Sequence, residues 1–279
     1  MPHFELSQLQ MKAIFLSCVR PDSISLPIIN IEAFIFFIFF FIKVINTNMN
    51  FKNKLISGLF LKRYKRFFAD IKINNKIVTA HCPNTGSMQG LLNKGNKVWL
   101  SKTDNPNRKL KYTLEIIEDN KSKVGVNTHS ANKIIYHSLK NRLIKEFKKY
   151  LNIKPEVKFG TNTRFDFLLM NKKEKIFIEV KNVTLSRKKG LAEFPDAITT
   201  RGLKHINELV KASRKKFKIF IIFLIQRDDC NSFKIAKDID PDYADAMNQA
   251  IKNKLNILCY DCKFSSKGIK LNNKIKFKK

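Results

Sequence analysis

The sequence predicts a protein of two parts, a small β-barrel followed by an α/β domain whose sheet begins with a three-strand meander. Three observations lead to this fold class. Residues 49–127 contain several short alternating segments separated by turn formers, and residues 155–181 contain three consecutive strand patterns. The rest of the chain then alternates between helical and strand periodicity. With 279 residues, of which 44% are hydrophobic, the chain has enough apolar material for a core in each part.

The first part is typical of an OB-like barrel, which we assign to residues 49–130. Its clearest element is a β-hairpin in which residues 67–73 and 77–80 are joined by Asn74 and Asn75, two residues that favour turns. Further strands are predicted over residues 97–100, 110–116 and 123–126. About five short strands within about 80 residues are a common signature of a small closed barrel.

The second part is assigned to residues 131–279. A four-residue repeat of Ile135, Leu139, Leu143 and Phe147 predicts a helix over 131–150. The patterns that follow are strands over 155–159, 164–170 and 175–181, a helix capped by Thr200, a buried strand over 217–225, a helix from Asp240 and Pro241, and a short strand over 256–260. The tail from Ser265 has six lysines in 15 residues, which predicts a solvated edge or partial disorder.

The charge of the chain indicates a polyanionic partner. Lysine and arginine total 54 against 23 acidic residues, which gives a formal net charge of +31. Such a charge repels itself unless a polyanion neutralises it, so nucleic acid is the first candidate and an anionic membrane surface the second.

Residues 1–48 differ from the rest because their three basic and three acidic residues cancel. The apolar run over 33–42 has ten residues, whereas a membrane-spanning helix needs about 20. We therefore expect a native start at Met49 and no stable membrane association. A membrane anchor over 33–42 and a genuine N-terminal extension remain the alternatives.

Cysteine usage predicts a cytoplasmic protein. The five cysteines are odd in number and scattered, which argues against a disulfide framework. Cys259 and Cys262 have the spacing of a metal-binding pair, but no second pair and no nearby histidine would complete a zinc site.

The motif that carries chemistry is Asp166 followed by Glu179 and Lys181. Asp166 lies on one predicted strand and Glu179 on the next, and residues i and i+2 of a strand share a face. Two neighbouring carboxylates suit Mg²⁺ or Mn²⁺, and a lysine beside them orients water or a scissile phosphate. This is the PD-(D/E)xK nuclease pattern, and it makes the predicted α/β domain nuclease-like. The alternative is that Glu179 and Lys181 are ordinary strand charges.

Other residues are candidates for supporting roles. Glu146 and Glu156 are candidates for an additional acid upstream of the motif. Thr184, Asp196 and Lys204 are candidates, with Arg201 and His205, for the rim of the same cleft, and the alternative is a charged surface helix. Basic side chains interleaved with aromatic rings are typical of nucleic-acid contacts. The residues assigned to nucleic-acid binding are Arg63, Lys65, Arg66, Arg164, Arg201 and His205.

Several stretches together resemble the sugar fermentation stimulation protein A family. The matching stretches lie at 63–67, 80–88, 101–110, 124–128, 164–169, 179–185, 194–197, 201–205 and 226–227. The resemblance covers about residues 49–265 and leaves out residues 1–48. It implies an OB-like domain followed by a nuclease-like domain, and a DNA-binding protein that stimulates sugar, notably maltose, utilisation genes.

Two functions follow from these observations, and they are compatible with one another. The first is a DNA-binding regulator of sugar metabolism genes. The second is a Mg²⁺-dependent nuclease acting on DNA or RNA through Asp166, Glu179 and Lys181. DNA is the preferred partner and RNA the alternative. The absence of a helix-turn-helix pattern weighs against sequence-specific regulation.

Overall fold

The computed structural model describes residues 49–161 and 163–278. Within these residues there are three α-helices, a 3₁₀-helix over Lys145–Phe147, and 17 strands. The helices are α1 His129–Lys140, α2 Thr200–Arg214 and α3 Pro241–Lys252. The strands are β1 Met49–Asn50, β2 Ile56–Tyr64, β3 Phe68–Ile73, β4 Lys76–His81, β5 Lys97–Lys102, β6 Tyr112–Asp119, β7 Ser122–Gly125, β8 Asn152–Phe159, β9 Thr163–Met170, β10 Lys175–Val183, β11 Leu185–Lys188, β12 Leu191–Phe194, β13 Lys218–Ile225, β14 Ser232–Ile235, β15 Asn256–Phe264, β16 Gly268–Lys274 and β17 Lys276–Lys278.

The first part is a five-stranded closed barrel of the predicted kind, although its strand β2 was not predicted, and the predicted strand over 123–126 is β7, which pairs with β6 beside the barrel. The strands pair in the order β4-β3-β2-β5-β6, and β4 pairs back to β6 through Ala80 with Tyr112 and His81 with Thr113. Its hairpin runs in register from Phe68 opposite His81 to Ile73 opposite Lys76. Closure leaves few unpaired strand edges and encloses a separate apolar core.

The second part is the predicted α/β domain, built on a seven-stranded sheet in the order β1-β16-β15-β13-β10-β9-β8. Strands β8, β9 and β10 form the antiparallel meander, and β10, β13 and β15 run parallel. Alternate side chains of β10 enter two different cores. Ile176 and Ile178 pack with α1, whereas Phe177 and Val183 pack with α2 and α3. The sheet is therefore covered by helices on both faces.

Side-chain caps fix the starts of the two helices on the second face. Thr199 Oγ1 accepts a hydrogen bond from Gly202 N at 3.0 Å, so Thr199, and not the predicted Thr200, caps α2. Asp240 Oδ1 accepts from Tyr243 N at 3.0 Å and caps α3. The other Asp240 oxygen accepts from Thr199 N at 2.8 Å, which ties the start of α2 to the start of α3.

The helix predicted over 131–150 is shorter than its repeat suggests. It ends at Lys140, and Arg142 has a left-handed φ of 55° that an α-helix does not accept. Leu143 is 41% exposed, while Phe147 reaches the core from the 3₁₀-helix instead. The four-residue repeat thus continues beyond the helix because a second, separate turn buries Phe147.

The lysine-rich tail forms two strands, so the expectation of partial disorder is wrong, whereas β17 is a solvated edge strand, as the other expectation had it. Strand β16 pairs with β15, and β17 joins a small sheet in the order β11-β12-β14-β17 that the sequence did not predict. Ile269 and Leu271 are buried on either side of Lys270. The alternation of a half-buried strand was present in the tail, but its lysines obscured it.

A buried arginine joins the barrel to the α/β domain. Arg227 is 3% exposed and donates to Asp119 Oδ2 of the barrel at 2.8 Å. It also binds both carboxylate oxygens of Asp229 and donates to the carbonyl of Thr184 at 3.0 Å. Beside it, Gly125 N of the barrel donates to Gln226 O at 2.8 Å. These bonds fix the end of β10 relative to the barrel.

In the described part of the chain, no helix is long and apolar enough to cross a membrane. The expectations for residues 1–48, including the apolar run over 33–42, concern residues outside the described ranges.

Candidate metal centre and nucleic-acid interface

Asp166 and Glu179 lie next to one another where the meander opens. The antiparallel pairing of β9 and β10 extends from Met170 opposite Lys175 to Phe167 opposite Ile178. Asp166 and Glu179 are the next residues on the two strands. Val180 N donates to Asp166 Oδ2 at 2.7 Å. The Asp166 side chain thus accepts a hydrogen bond just beyond the last backbone pair of the two strands.

Each carboxylate is held by specific donors. Asn132 Nδ2 on α1 donates to Asp166 Oδ1 at 2.7 Å. Glu179 Oε1 accepts from Lys181 Nζ at 2.7 Å and is hydrogen-bonded to His205 Nδ1 at 2.5 Å. Lys181 reaches Glu179 because the two residues share a face of β10. His205 reaches it because α2 packs on that same face.

The other oxygen of Glu179 has no hydrogen-bond partner although it is buried. Glu179 is only 2% exposed, and an unpaired buried carboxylate oxygen normally carries a large free-energy cost. A bound cation would explain this oxygen, because it would supply the missing partner. Among the residues of known position, no group of three or more His, Cys, Asp and Glu side chains is arranged to hold a metal ion, so protein carboxylates would supply only part of a coordination shell.

The two acids titrate differently. Burial, and next the charge of Glu179, raise the pKa of Asp166 to about 7. Burial also acts to raise the pKa of Glu179, but the charge of Lys181 and the hydrogen bond and charge of His205 outweigh it and lower that pKa. The pair therefore carries about one negative charge below neutrality and two above it.

The two carboxylates line a cleft of about 1070 Å³ between the barrel and the α/β domain. One wall is the barrel loop at Asn84, Thr85 and Gly86, and the start of α1 adds a second wall at residues 128–133. The α/β domain supplies the floor and the opposite rim, including Asp196 and the start of α2. Both parts of the protein are thus needed to form the cleft.

Arg63 holds the barrel wall of this cleft. Its guanidinium donates to Asn84 O at 2.6 Å, to Gly86 O at 3.0 Å and to Arg66 O at 2.8 Å. Arg63 is one of the residues predicted to contact nucleic acid, but here its donors are used to fix the loop. Its role in this structure is to position the wall.

Gly86 permits the loop to touch the opposite rim. A Cβ at this position would lie 2.5 Å and 2.7 Å from the two carboxylate oxygens of Asp196. That carboxylate accepts from Met88 N at 3.1 Å, and Ser87 Oγ donates to Asp196 O at 2.7 Å.

Gly86→Ala is therefore expected to destabilise the protein by about 1–3 kcal/mol, the usual cost of overpacking. Urea unfolding of four proteins measures it: wild type, Gly86→Ala, Asp196→Ala and the double variant. Removal of Asp196 should cancel most of the penalty of the added methyl group. A penalty that stays the same in the Asp196→Ala background would mean that this contact is not the cause.

The structure gathers most of the predicted site residues around the cleft. Arg164, Arg201, His205 and Thr184 line it together with Asp166, Glu179 and Lys181. Lys65 and Arg66 are exposed on the barrel, in the turn whose backbone Arg63 contacts.

The two additional candidate acids have different positions. Glu156 lines the cleft, and its carboxylate lies 4.0 Å from Arg164 Nη1. Glu146 is not among the residues of the cleft. It accepts from Lys274 Nζ at 2.5 Å and from the Tyr260 hydroxyl at 3.4 Å. Burial acts to raise its pKa, but the hydrogen bonds it accepts and the charge of Lys274 together outweigh burial and lower that pKa.

Sequence reasoning did not assign Asn132 or the barrel loop to the site. Asn132 lies 34 residues before Asp166, on a helix where an asparagine has no distinguishing pattern. The density of loop formers over 81–88 was visible in the sequence, but nothing in the sequence placed that loop opposite the motif.

Comparisons with known proteins agree with both parts of the fold. A family model described as "SfsA N-terminal OB domain" matches residues 61–126, and one described as "Sugar fermentation stimulation protein RE domain" matches residues 129–268. A "Sugar fermentation stimulation protein homolog" of Pelagibacter ubique is 57% identical over 228 residues, which is 82% of this chain and 98% of that protein. One from Brucella anthropi is 42% identical over 223 residues, 79% of this chain and 96% of that protein.

A solved structure is also similar. It is described as Pyrococcus furiosus SfsA in complex with Ca²⁺, and it superposes with a TM-score of 0.76 at 26% identity. The match covers 83% of this chain and 98% of that one.

Proposed function

The chain belongs to the sugar fermentation stimulation protein family, and on that premise we propose that it binds nucleic acid and hydrolyses phosphodiester bonds with a divalent cation held by Asp166 and Glu179. The observation that carries this proposal is the buried oxygen of Glu179 without a hydrogen-bond partner, in a cleft shared with Asp166. DNA is the preferred substrate and RNA the alternative.

The donor set fits Mg²⁺ or Mn²⁺. Mg²⁺ is usually bound through one or two carboxylates and completes its shell with water and substrate phosphates, so a third protein acid is not required. The relative from Pyrococcus furiosus is described in complex with Ca²⁺, a cation that also takes oxygen ligands. When bound, such a cation would stabilise charge on the scissile phosphate and favour ionisation of an attacking water.

The remaining residues have supporting roles in this proposal. Asn132 holds one oxygen of Asp166 and leaves the acid fixed in orientation. Lys181 presents an ammonium group beside Glu179, from which it would reach a phosphate oxygen of a bound strand. His205 holds Glu179 Oε1 from α2 and keeps the second oxygen directed away from that contact.

The cations of the protein provide the nucleic-acid interface. Arg164 and Arg201 lie at the cleft, and Lys65 and Arg66 lie on the exposed barrel turn. If binding neutralises about 4–6 phosphates, the logarithm of affinity should fall with the logarithm of salt concentration with a slope of roughly −4 to −5. Fluorescence anisotropy with a labelled oligonucleotide at several salt concentrations measures the slope. A flat response would contradict a phosphate-based interface.

Metal binding is expected to weaken below neutral pH. A cation requires the ionised carboxylate, and the pKa of Asp166 is raised to about 7, so protons compete with the metal as the pH falls through 7. Between pH 8 and pH 6 the ionised fraction, and with it the apparent Mn²⁺ affinity, should fall about tenfold. Glu179 contributes little to this change because its pKa is lowered. Titrations at the two pH values measure it, and equal affinities would contradict the assignment.

A binding-only function is the second candidate, and one observation favours it. Lys181 and His205 already pair with one oxygen of Glu179, so protein groups neutralise much of that acid without a metal. In this case the protein is a DNA-binding regulator of sugar, notably maltose, metabolism genes and does not cleave. The cytoplasm is the compartment we propose for either function, where the buried free thiols Cys82, Cys230, Cys259 and Cys262 stay reduced.

The experiment that separates the two functions is incubation of the purified protein with end-labelled DNA and RNA in Mg²⁺, Mn²⁺ or EDTA. We expect cleavage with either metal and none in EDTA. Binding without cleavage in both metals would favour the regulator.

A further inference from the structure

The barrel turn next to the cleft exposes two aromatic rings with two cations between them in the chain. Tyr64 is 37% exposed and Phe67 is 41% exposed, and Lys65 and Arg66 between them are also exposed. We call these four residues the aromatic platform. Large aromatic side chains are usually buried, so two on one turn indicate a surface that meets a partner.

Each ring of the platform is backed by another ring. Tyr64 stacks on Phe68 with a centroid distance of 5.5 Å and an interplanar angle of 14°. Phe67 stacks on His81 at 6.5 Å and 29°. Lys62 Nζ lies 5.5 Å from the centre of the Tyr64 ring and adds a third cation. Rings fixed in this way lose little freedom when a further flat group stacks on them.

The backbone of the platform is strained. Lys65 has φ of 46° and Arg66 has φ of 60°, so two consecutive residues with long side chains adopt the left-handed conformation. A turn of this kind favours asparagine and glycine. The sequence keeps two cations there instead, and strained backbone of this kind clusters at sites that contact ligands.

The platform adjoins the cleft through direct bonds. Arg63 donates to Arg66 O of the platform and to Asn84 O and Gly86 O of the cleft wall. The backbone of Phe67 also accepts from Cys82 N at 2.8 Å. A chain lying on the platform is therefore next to the cleft that leads to Asp166 and Glu179.

The shape of the cleft restricts what can reach the acids. Glu179 is 2% exposed, and the whole cleft is about 1070 Å³, which is the scale of a pocket for a small ligand. A stacked duplex holds its phosphates on a wide and rigid cylinder, whereas the backbone of a short unpaired strand can bend toward an acid that is almost wholly buried.

We propose that this protein acts on single-stranded nucleic acid, whose unpaired bases stack on Tyr64 and Phe67 while its backbone enters the cleft. The stacking faces of every base are exposed only when the strand is unpaired, and such stacking tolerates any sequence. This inference rests on the proposed function because it names the substrate class of the same site.

The test is binding in EDTA, where no cleavage occurs, to a labelled DNA strand of about 12 nucleotides and to the same sequence as a duplex. The wild type should bind the single strand about tenfold more tightly. Phe67→Leu, which removes the stacking face but stays apolar, should lower single-strand affinity about tenfold and leave duplex affinity unchanged. Phe67→Tyr should retain the wild-type affinity. Ile77→Ala is the control, because Ile77 is a 67% exposed apolar residue at the other end of the same hairpin.

Two outcomes would overturn the inference. One is equal or tighter binding of the duplex, and the other is a Phe67→Leu variant with unchanged single-strand affinity. The proposed nuclease function fails separately: a protein that prefers single strands in EDTA but cleaves nothing in Mn²⁺ supports the inference and contradicts the nuclease. Rapid cleavage of duplex with no preference for single strands would support the nuclease and contradict the inference.

Discussion

Asp166→Asn is expected to abolish nucleic-acid cleavage and to leave nucleic-acid binding unchanged or stronger. The substitution removes one of the two carboxylates of the proposed metal centre, and a metal contributes several kcal/mol to stabilising charge in the transition state. A loss of that size lowers the rate by roughly a thousandfold or more. Binding should not weaken because the variant removes a negative charge from a cleft that receives phosphates. Cleavage of a labelled strand in Mn²⁺ and anisotropy in EDTA measure the two effects.

Controls separate this effect from a loss of structure. Asp166 accepts from both Asn132 and Val180, and an asparagine offers only one acceptor oxygen, so some stability will be lost as well. Urea unfolding must therefore show that the variant is folded under assay conditions. Asp245→Asn, at an exposed position on α3, is the matched control and should cleave like the wild type. Wild-type rates in Asp166→Asn would contradict the assignment of the site.

Arg227→Ala is expected to lower the free energy of unfolding by about 3–5 kcal/mol, the usual cost of removing one partner from a buried ion pair. Arg227 is buried and binds Asp119 and Asp229, so its loss leaves two carboxylates without their cation. The carbonyl of Thr184 loses a donor as well. For a protein of this size, the melting temperature should fall by roughly 10 °C.

The matched control for this variant is Arg214→Ala, which removes an exposed arginine at the end of α2. Its effect should stay within about 0.5 kcal/mol. Chemical denaturation followed by circular dichroism measures both variants. If Arg227→Ala unfolds within 1 kcal/mol of the wild type, the buried arginine does not hold the two parts together as described.

Strands and turns could be predicted from the sequence where the hydrophobic period and the turn-forming residues indicate the same structure. The hairpin joined at Asn74 and the apolar strand ending at Ile225 were predicted because period and turn chemistry indicate the same structure. Partial disorder of the tail was a wrong prediction because its lysines dominate the composition while Ile269 and Leu271 carry the strand pattern. The predicted end of the helix at residue 150 was wrong because Arg142 adopts a left-handed conformation, which stops α1 although the apolar repeat continues.

The core of the site could be predicted because one strand and one hairpin specify it, and the predicted rim residues Thr184, Arg201 and His205 also line the cleft. Asp166, Glu179 and Lys181 are brought together by the β9–β10 turn and by the two-residue period of β10, and both are readable from the sequence. Asn132 and the loop at Gly86, which the sequence did not assign to the site, come from different parts of the fold. Their positions depend on how the barrel packs on the α/β domain, which no local pattern contains. Arg63 shows the same limit, because its residue type indicates phosphate binding while the structure shows it donating to three carbonyls of the barrel, a contact that no local pattern predicts.

The central claim is that Asp166 and Glu179 together bind a divalent cation. Calorimetric titration of Mn²⁺ into the metal-free wild type and into Asp166→Asn, at pH 8 where both acids are ionised, tests it most directly. We expect one Mn²⁺ bound per wild-type chain. The Mn²⁺ affinity of Asp166→Asn should be lower by at least about tenfold, since that variant keeps a single carboxylate. Equal Mn²⁺ affinities in the two proteins would contradict the metal centre, whatever the cleavage assays show.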